Sequence, residues 1–215
     1  MRRGLIPYIL NEQRNNITIN SGYEALNDAD TTAQLINQVQ DVAVKGHCRN
    51  DWLTFVSAKQ YIDKYHPKVV YLGLGETDEY AHKSQYDMYL QKANAFDKMI
   101  GELWYYVQTY PFYKNNTTFI ITTDHGRGKK PDTWFTHSLF TKGSGDIWLA
   151  VFGPAIAALG EASAKQQLFQ NQIAATVTML AGQSFQPKAN IGKAIQLPQA
   201  MPVTTGGTVV INIAK

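Results

Sequence analysis

Cysteine is almost absent from this sequence. Its 215 residues include one, Cys48, so an internal disulfide and a metal site built from several cysteines are both excluded. A single thiol is tolerated in oxidising and in reducing compartments. The cysteine content therefore leaves the compartment open.

Long apolar runs and a strong excess of one charge are also missing. No stretch approaches the roughly 20 apolar residues that cross a bilayer, so we expect no membrane span. The 20 Lys and Arg residues against 17 Asp and Glu residues give a net charge of +3, which is too little to indicate nucleic acid or an anionic membrane as a partner. The start of the chain is a poor signal peptide, because Pro7 interrupts its short apolar run.

What is present is the composition of an ordinary globular protein. The sequence is 44% hydrophobic and 17% charged, which is typical of a folded chain, and its length suits one domain with a proper core. We expect residues 1–182 to form that domain. Residues 183–215 are rich in Pro, Gly and Gln and form a tail, in which 208–213 can add one terminal strand to the same domain.

Helix-like and strand-like patterns alternate along the chain. Helices are predicted at about 31–44, 51–65, 86–109 and 165–180, and strands at 69–74, 117–123 and 147–152. Such alternation indicates an α/β fold, a three-layer α/β/α sandwich around a mainly parallel sheet. Because ligands of such sheets bind at the carboxyl ends of the strands, a functional site is expected there.

Residue types that bind metals follow two of these strands. Asp78 and His82 come after the first predicted strand and are four residues apart, so on a helical turn they share one face and can hold one cation. Asp124 and His125 follow the second strand directly, and His137 precedes the third. Aspartate and histidine without cysteine suit zinc, manganese or iron better than calcium.

Each of these pieces also has a purely structural interpretation. The Asp78–His82 pair could lie on the surface or cap a helix, and Asp124 could begin a turn. A lone histidine such as His137 is more often structural than functional. The set is stronger than its parts, because three of the five histidines fall after or between predicted strands. The two remaining histidines, near helix ends, are expected to be structural.

Three segments of the chain, in a fixed order, carry a family resemblance. They are residues 71–82 (YLGLGETDEYAH), residues 120–128 (IITTDHGRG), and a histidine ahead of residues 147–154 (IWLAVFGP). Together they resemble the alkaline phosphatase superfamily, which includes phosphatases, nucleotide phosphodiesterases, sulfatases and cofactor-independent phosphoglycerate mutases. The resemblance covers about residues 50–182. It implies a metal-dependent hydrolase whose substrate is a small-molecule phosphate or sulfate ester.

The resemblance also implies roles for individual residues. It assigns Asp78, His82 and His137 to one metal ion, and Asp124 with His125 to a second. In such a site the two divalent ions hold the ester oxygens and stabilise the leaving group. The ligand types favour zinc, with manganese as the second choice.

The chain departs from the family pattern at the nucleophile. The family uses a Ser, a Thr or a modified Cys at a helix start, well upstream of the Asp-x-x-x-His element, and Cys48 lies in no such pattern. Thr31 is the least unsuitable substitute, although a helix cap fully explains the preceding Asp30. Arg127 could meet an anionic substrate or belong to a solvent-exposed loop. The sequence therefore favours a domain that is incomplete at its N-terminus and lacks its nucleophile.

Several functions are compatible with these observations. The first is the metal-dependent hydrolase, complete only in a longer or complemented form. Such a chain would need a partner that supplies the missing part, or would self-associate. The alternative is a non-catalytic metal- or anion-binding remnant of such an enzyme. A third possibility is a phosphomutase, but such an enzyme normally carries a large extra domain that is not visible here. A fourth is a plain α/β domain, in which the three ordered matches would be coincidental. Members of the superfamily are often exported, so an exported or periplasmic location is compatible with the sequence, although the start of the chain does not show it.

Overall fold

The structure is a computed structural model in which residues 49–162, 167–183, 192–200 and 207–214 are described, together with positions 31, 32, 35, 38 and 39. For 210–214 the description covers the backbone only. The helix predicted at 31–44 is helical at those five positions, and Thr31 is exposed there. The other positions of that helix, and Cys48, lie outside the described residues.

Four helices and four strands form the described architecture, and a 3-10 turn at Gln170–Gln172 leads into the last helix. In chain order they are α1 (Asp51–Tyr65), β1 (Val69–Leu74), α2 (Glu76–His82), α3 (Tyr86–Thr109), β2 (Thr117–Thr123), β3 (Leu149–Phe152), α4 (Ile173–Leu180) and β4 (Thr208–Ala214). None of the helices in these described ranges is both long enough and apolar enough to cross a membrane.

Two of the predicted boundaries are wrong. The strand predicted at 147–152 begins at Leu149. The helix predicted to begin at 165 begins later, because Phe169 is extended (φ −129°, ψ 144°) and its N–H donates to Gln172 Oε1 at 2.8 Å. The helical backbone therefore starts only after Phe169, first as a 3-10 turn and then as α4.

The ends of α1 show how local chemistry sets an element. Asn50 caps the first turn, since its side chain accepts a hydrogen bond from Leu53 N at 3.1 Å. At the other end His66 adopts a left-handed conformation (φ 48°) directly before Pro67, and a residue that precedes proline is disfavoured in the helical region. The helix therefore stops where the sequence predicts.

The sheet has the strand order β1-β4-β2-β3. β4 lies between β1 and β2 and is parallel to both, so that Val209 pairs with Val69 on one side and with Thr118 on the other. β3 is antiparallel to β2 at the edge. The prediction of an α/β fold with a mainly parallel sheet is thus confirmed, and the strand expected in the tail is central in it.

Alternating residues of β1 supply two cores on opposite faces of the sheet. Val70, Leu72 and Leu74 face α1 and α3 in the larger core. Val69 and Tyr71 face α4 in the smaller one. This period of two places helices on both sides of the sheet and gives the three layers. The parallel pairing of β1 and β2 with β4 places the carboxyl ends of both strands at the same edge.

Phe119 of β2 offers a direct test of the larger core. Its side chain is fully buried, and its ring lies 5.1 Å from that of Phe152 and 5.5 Å from that of Trp104, centroid to centroid. Phe119→Ala is expected to lower the free energy of unfolding in urea by roughly 3–5 kcal/mol, because it leaves a cavity. The exposed Tyr105 serves as control, since Tyr105→Ala should cost less than about 1 kcal/mol. Similar losses in both variants would contradict the described packing.

Candidate metal centre

The predicted metal ligands lie on segments that leave the same edge of the sheet. β1 runs through Gly75 into α2, where Asp78 and His82 are four residues apart on one face. β2 ends at Thr123 and is followed at once by Asp124 and His125. Because β1 and β2 are parallel to the strand between them, both segments emerge at the carboxyl ends of the strands. The fold therefore brings together residues that are about fifty positions apart in sequence.

Asp78 Oδ1 is the atom on which the site converges. It lies 3.4 Å from His82 Nε2, 3.8 Å from His125 Nε2 and 3.5 Å from His137 Nε2. His82 Nε2 and His137 Nε2 are 3.0 Å apart. Asp78, His125 and His137, from three separate chain segments, thus form a group that could hold one ion, and His82 lies beside it. Asp78 is itself buried, and a buried carboxylate needs positive or hydrogen-bonding partners around it.

The separations between Asp78 Oδ1 and the three imidazole nitrogens fit metal ligands better than hydrogen bonds, whereas His82 Nε2 and His137 Nε2 are within hydrogen-bond distance of each other. Two ligand atoms that each lie 2.0–2.2 Å from a tetrahedral zinc are roughly 3.3–3.6 Å apart. Most of the Asp78 distances fall near this value and beyond the usual hydrogen-bond range of about 2.7–3.2 Å. The ligand atoms of Asp78, His125 and His137 all lie within 4.8 Å of one another. The donor set and its spacing therefore suit a divalent metal ion.

The electrostatics of His137 also suit a ligand. Burial lowers the pKa of its imidazole, the neighbouring His125 lowers it further, and Asp78 offsets part of the change. The rings of His125 and His137 stack, with centroids 3.6 Å apart and an interplanar angle of 17°. A lowered pKa keeps His137 neutral at physiological pH, which is the form that binds a metal.

The sequence left open whether Arg127 belongs to the site or to a solvent-exposed loop. Its Nη2 donates to Asp78 Oδ1, and its side chain is 13% exposed, so it is not part of a solvent-exposed loop. Within the described part of the chain, Arg127 Nη1 and Thr123 Oγ1 are buried without a hydrogen-bond partner. A positive group therefore already balances the carboxylate at the centre, and two further polar atoms beside it are unsatisfied.

The remaining predicted residues lie close to this cluster or on the surface. Asp124 Oδ1 is 3.5 Å from His125 Nε2. The two residues predicted for the second ion therefore lie next to each other and beside the Asp78 cluster. His82 is the most exposed of the three clustered histidines, at 44% of its side chain. Lys129 forms an exposed ion pair with Asp146. His125, which the resemblance assigns to the second ion, lies 3.8 Å from Asp78 Oδ1 of the first group.

A cavity of about 450 Å³ borders the cluster. Its lining includes Thr77, Thr123, His125 and Arg127, the acidic residues Asp97 and Asp146, and three aromatic residues, Tyr89, Phe96 and Trp148. The sequence did not single out these aromatic residues. Tyr89 and Phe96 are seven residues apart on α3, a spacing that predicts a shared helix face but not that the face lines a site.

The fold and the cluster together define a class: an α/β protein that gathers metal-binding side chains at the carboxyl ends of its parallel strands. The family model described as Metalloenzyme superfamily matches residues 19–183, which is most of the sequence. The chain belongs to the Metalloenzyme superfamily. A search of curated proteins and a search of solved structures gave no significant match. The match establishes a metalloenzyme family, and the finer resemblance to the alkaline phosphatase superfamily stays a prediction.

Proposed function

We propose that the chain is the metal-binding domain of a hydrolase of phosphate or sulfate esters and lacks the nucleophile of such an enzyme. Its proposed metal ligands are Asp78, His82, His125 and His137, with Asp124 at a second ion site. The observation that carries the proposal is the convergence of three imidazole nitrogens on Asp78 Oδ1 at 3.4–3.8 Å. The family match supports it, because it places the chain among metalloenzymes. Zinc is the favoured ion and manganese the second choice.

A divalent ion held here would act as a Lewis acid on an ester oxygen and offset the charge that develops there. The residues of the chain have distinct tasks around it. Asp78 supplies the negative charge that attracts the cation, and His137 supplies a neutral nitrogen because its pKa is lowered. Arg127, mostly buried beside them, adds a fixed positive charge that suits an anionic phosphate or sulfate group.

The cavity beside the cluster is the natural place for the organic group of the ester. It is the one among the described cavities that is lined by His125 and Arg127. At about 450 Å³ it lies within the usual range of small-molecule sites. Its aromatic side suits a ring better than a short alkyl chain, because ring–ring contact adds to apolar burial. We therefore expect aryl esters to bind better than alkyl esters.

The test is binding of inorganic phosphate and of phenyl phosphate to the zinc-loaded protein by isothermal titration calorimetry. Both should bind the loaded wild type, phenyl phosphate more tightly, and neither should bind His137→Ala. Phe96→Ala should weaken phenyl phosphate by roughly tenfold, as loss of one aromatic contact and its burial predicts, and leave phosphate unchanged. His66→Ala, which removes a histidine outside the cluster, is the matched control.

Activity is measured in parallel with 4-nitrophenyl phosphate and 4-nitrophenyl sulfate. Zinc-dependent release of nitrophenol that His137→Ala lacks would support the hydrolase. Phosphate binding without hydrolysis is the result expected of a chain that lacks its nucleophile, and loss of that binding in His137→Ala would support the metal site. If the zinc-loaded protein neither binds phosphate nor hydrolyses either ester, the proposed function is wrong.

A further inference from the structure

Asp51 is a buried carboxylate outside the metal cluster. It lies in the first turn of α1 and is 3% exposed. Its Oδ1 accepts a hydrogen bond from Gly75 N at 2.7 Å, and its Oδ2 accepts one from Glu76 N at 3.1 Å. These are the backbone groups through which the chain turns from β1 into α2. A side chain of α1 therefore binds the segment that carries Asp78 and His82.

The side chain of Glu76 in turn accepts hydrogen bonds from the start of α1. Its Oε2 accepts a hydrogen bond from Asp51 N at 3.1 Å, and its Oε1 accepts one from Asn50 Nδ2 at 3.3 Å. Lys92 of α3 pairs with the same Glu76 Oε1 at 3.0 Å. The starts of α1 and α2 are thus joined by reciprocal carboxylate–amide hydrogen bonds, and α3 is tied to them by an ion pair.

The turn into α2 depends on this external contact. Gly75, the residue before the helix, offers no side chain to bind the first amides, and backbone amides at a helix start need a partner when they are buried. With only seven residues, α2 is too short to be stable on its own. Its position therefore depends on its packing and on polar contacts from other elements, among them the two hydrogen bonds to Asp51.

We propose that Asp51 is a positioning residue for the metal centre: by holding Gly75 N and Glu76 N it fixes α2 so that Asp78 and His82 reach His125 and His137. Asp51 touches no ligand residue and acts through the backbone of α2. The inference rests on the proposed metal centre, since positioning matters to function only if these side chains bind an ion. Residues that orient ligands from outside the coordination sphere commonly control metal affinity.

The buried setting of Asp51 also changes the pKa of its carboxyl group. Burial raises its pKa to about 7, the adjacent Glu76 carboxylate adds to the rise, and the two amide hydrogen bonds and Lys92 offset it in part. Between its ordinary pKa and about 7 the unfolded chain releases this proton while the folded chain retains it. The contribution of Asp51 to stability therefore falls as pH rises through this window. In denaturant unfolding, wild type should lose stability relative to Asp51→Asn between about pH 4 and about pH 7.

Two measurements on Asp51→Ala test the positioning role. The first is Zn²⁺ affinity by competition with a chromophoric chelator, at a temperature where circular dichroism shows the variant folded. We expect a loss of roughly 10–100-fold, and a smaller loss for Asp51→Asn, whose side-chain oxygen can still accept from Gly75 N. The second is amide hydrogen exchange of the metal-free protein, in which residues 76–82 should exchange roughly tenfold faster while α3 is unchanged.

The matched control is Ile62→Ala, which deletes a buried side chain at the far end of α1. It should lower stability but leave both Zn²⁺ affinity and exchange in α2 as in wild type. If α2 exchange in Asp51→Ala is no faster than in Ile62→Ala, the proposal is overturned whatever the zinc result. If wild type binds no Zn²⁺, the proposed function fails, and the exchange experiment still decides whether Asp51 holds α2.

Discussion

Replacing Asp78 by alanine is expected to lower the Zn²⁺ affinity of the protein by more than about 100-fold, since loss of an outer-sphere partner alone typically costs 10–100-fold. Asp78 Oδ1 is the atom that all three clustered histidines approach. Without it the site retains imidazoles and the positive Arg127, which repels a cation. The measurement is a competitive Zn²⁺ titration of wild type and variant under identical conditions.

The same substitution should also destabilise the metal-free protein. Arg127 and Asp78 pair in a largely buried setting, with 13% and 7% of their side chains exposed, and removal of one partner leaves a buried charge. Such losses cost roughly 3–5 kcal/mol. Asp87→Ala, which removes an exposed carboxylate at the start of α3, is the control and should change neither quantity. Wild-type zinc affinity in Asp78→Ala would contradict the assignment of Asp78 as a ligand.

Removal of residues 207–215 is expected to abolish cooperative folding. The truncation deletes β4, which pairs along its whole length with β1 on one side and β2 on the other. Both strands would lose their parallel partner, and each buried backbone group left unpaired costs about 1–3 kcal/mol. The sum exceeds the roughly 5–15 kcal/mol by which a domain of this kind is stable. Thermal and urea unfolding followed by circular dichroism would show no sigmoidal transition.

Deletion of Lys215 alone is the control for this truncation. Lys215 follows the last paired residue, Ala214, so its loss should leave the unfolding midpoint unchanged. A truncated chain that still unfolds cooperatively near the wild-type midpoint would show that β1 and β2 can pair without β4, and the described topology would be wrong.

The helices and strands were predictable where the local propensity of a segment and its burial in the fold favour the same structure. α1 and α3 combine helix-compatible patterns with a stop at His66-Pro67 and before Pro111, and the structure has the predicted bounds. β2 is a run of Thr, Phe and Ile that is buried almost throughout, as expected of an inner strand. Such agreement arises because propensity and burial act in the same direction.

The order of the strands was not predictable from these patterns. β4 comes last in the sequence, after a tail rich in Pro and Gly, yet it lies between β1 and β2. Nothing in its six or seven residues specifies which neighbours they pair with, because pairing between distant segments depends on the packing of the whole sheet. The late start of α4 likewise depends on the hydrogen bond between Phe169 and Gln172.

The candidate ligands were predicted from their types and spacing, but their supporting contacts were not. Asp78, His82 and His125 follow strands whose carboxyl ends meet, which the fold class alone predicts. In contrast, Asp51 looks like an ordinary first-turn residue of α1, and its contact with Gly75 joins positions 24 residues apart. Arg127 could belong to a loop or to the site, and only the fold shows its contact with Asp78.

The central claim is that the cluster around Asp78 holds a divalent metal ion, and metal content tests it most directly. Protein purified without chelator, incubated with Zn²⁺ and freed of excess ion, is analysed by plasma mass spectrometry beside His137→Ala and the control His66→Ala. We predict at least about one zinc per chain in wild type and in His66→Ala, and a loss of most of it in His137→Ala. No retained zinc or manganese in wild type, or equal retention in His137→Ala, would contradict the account.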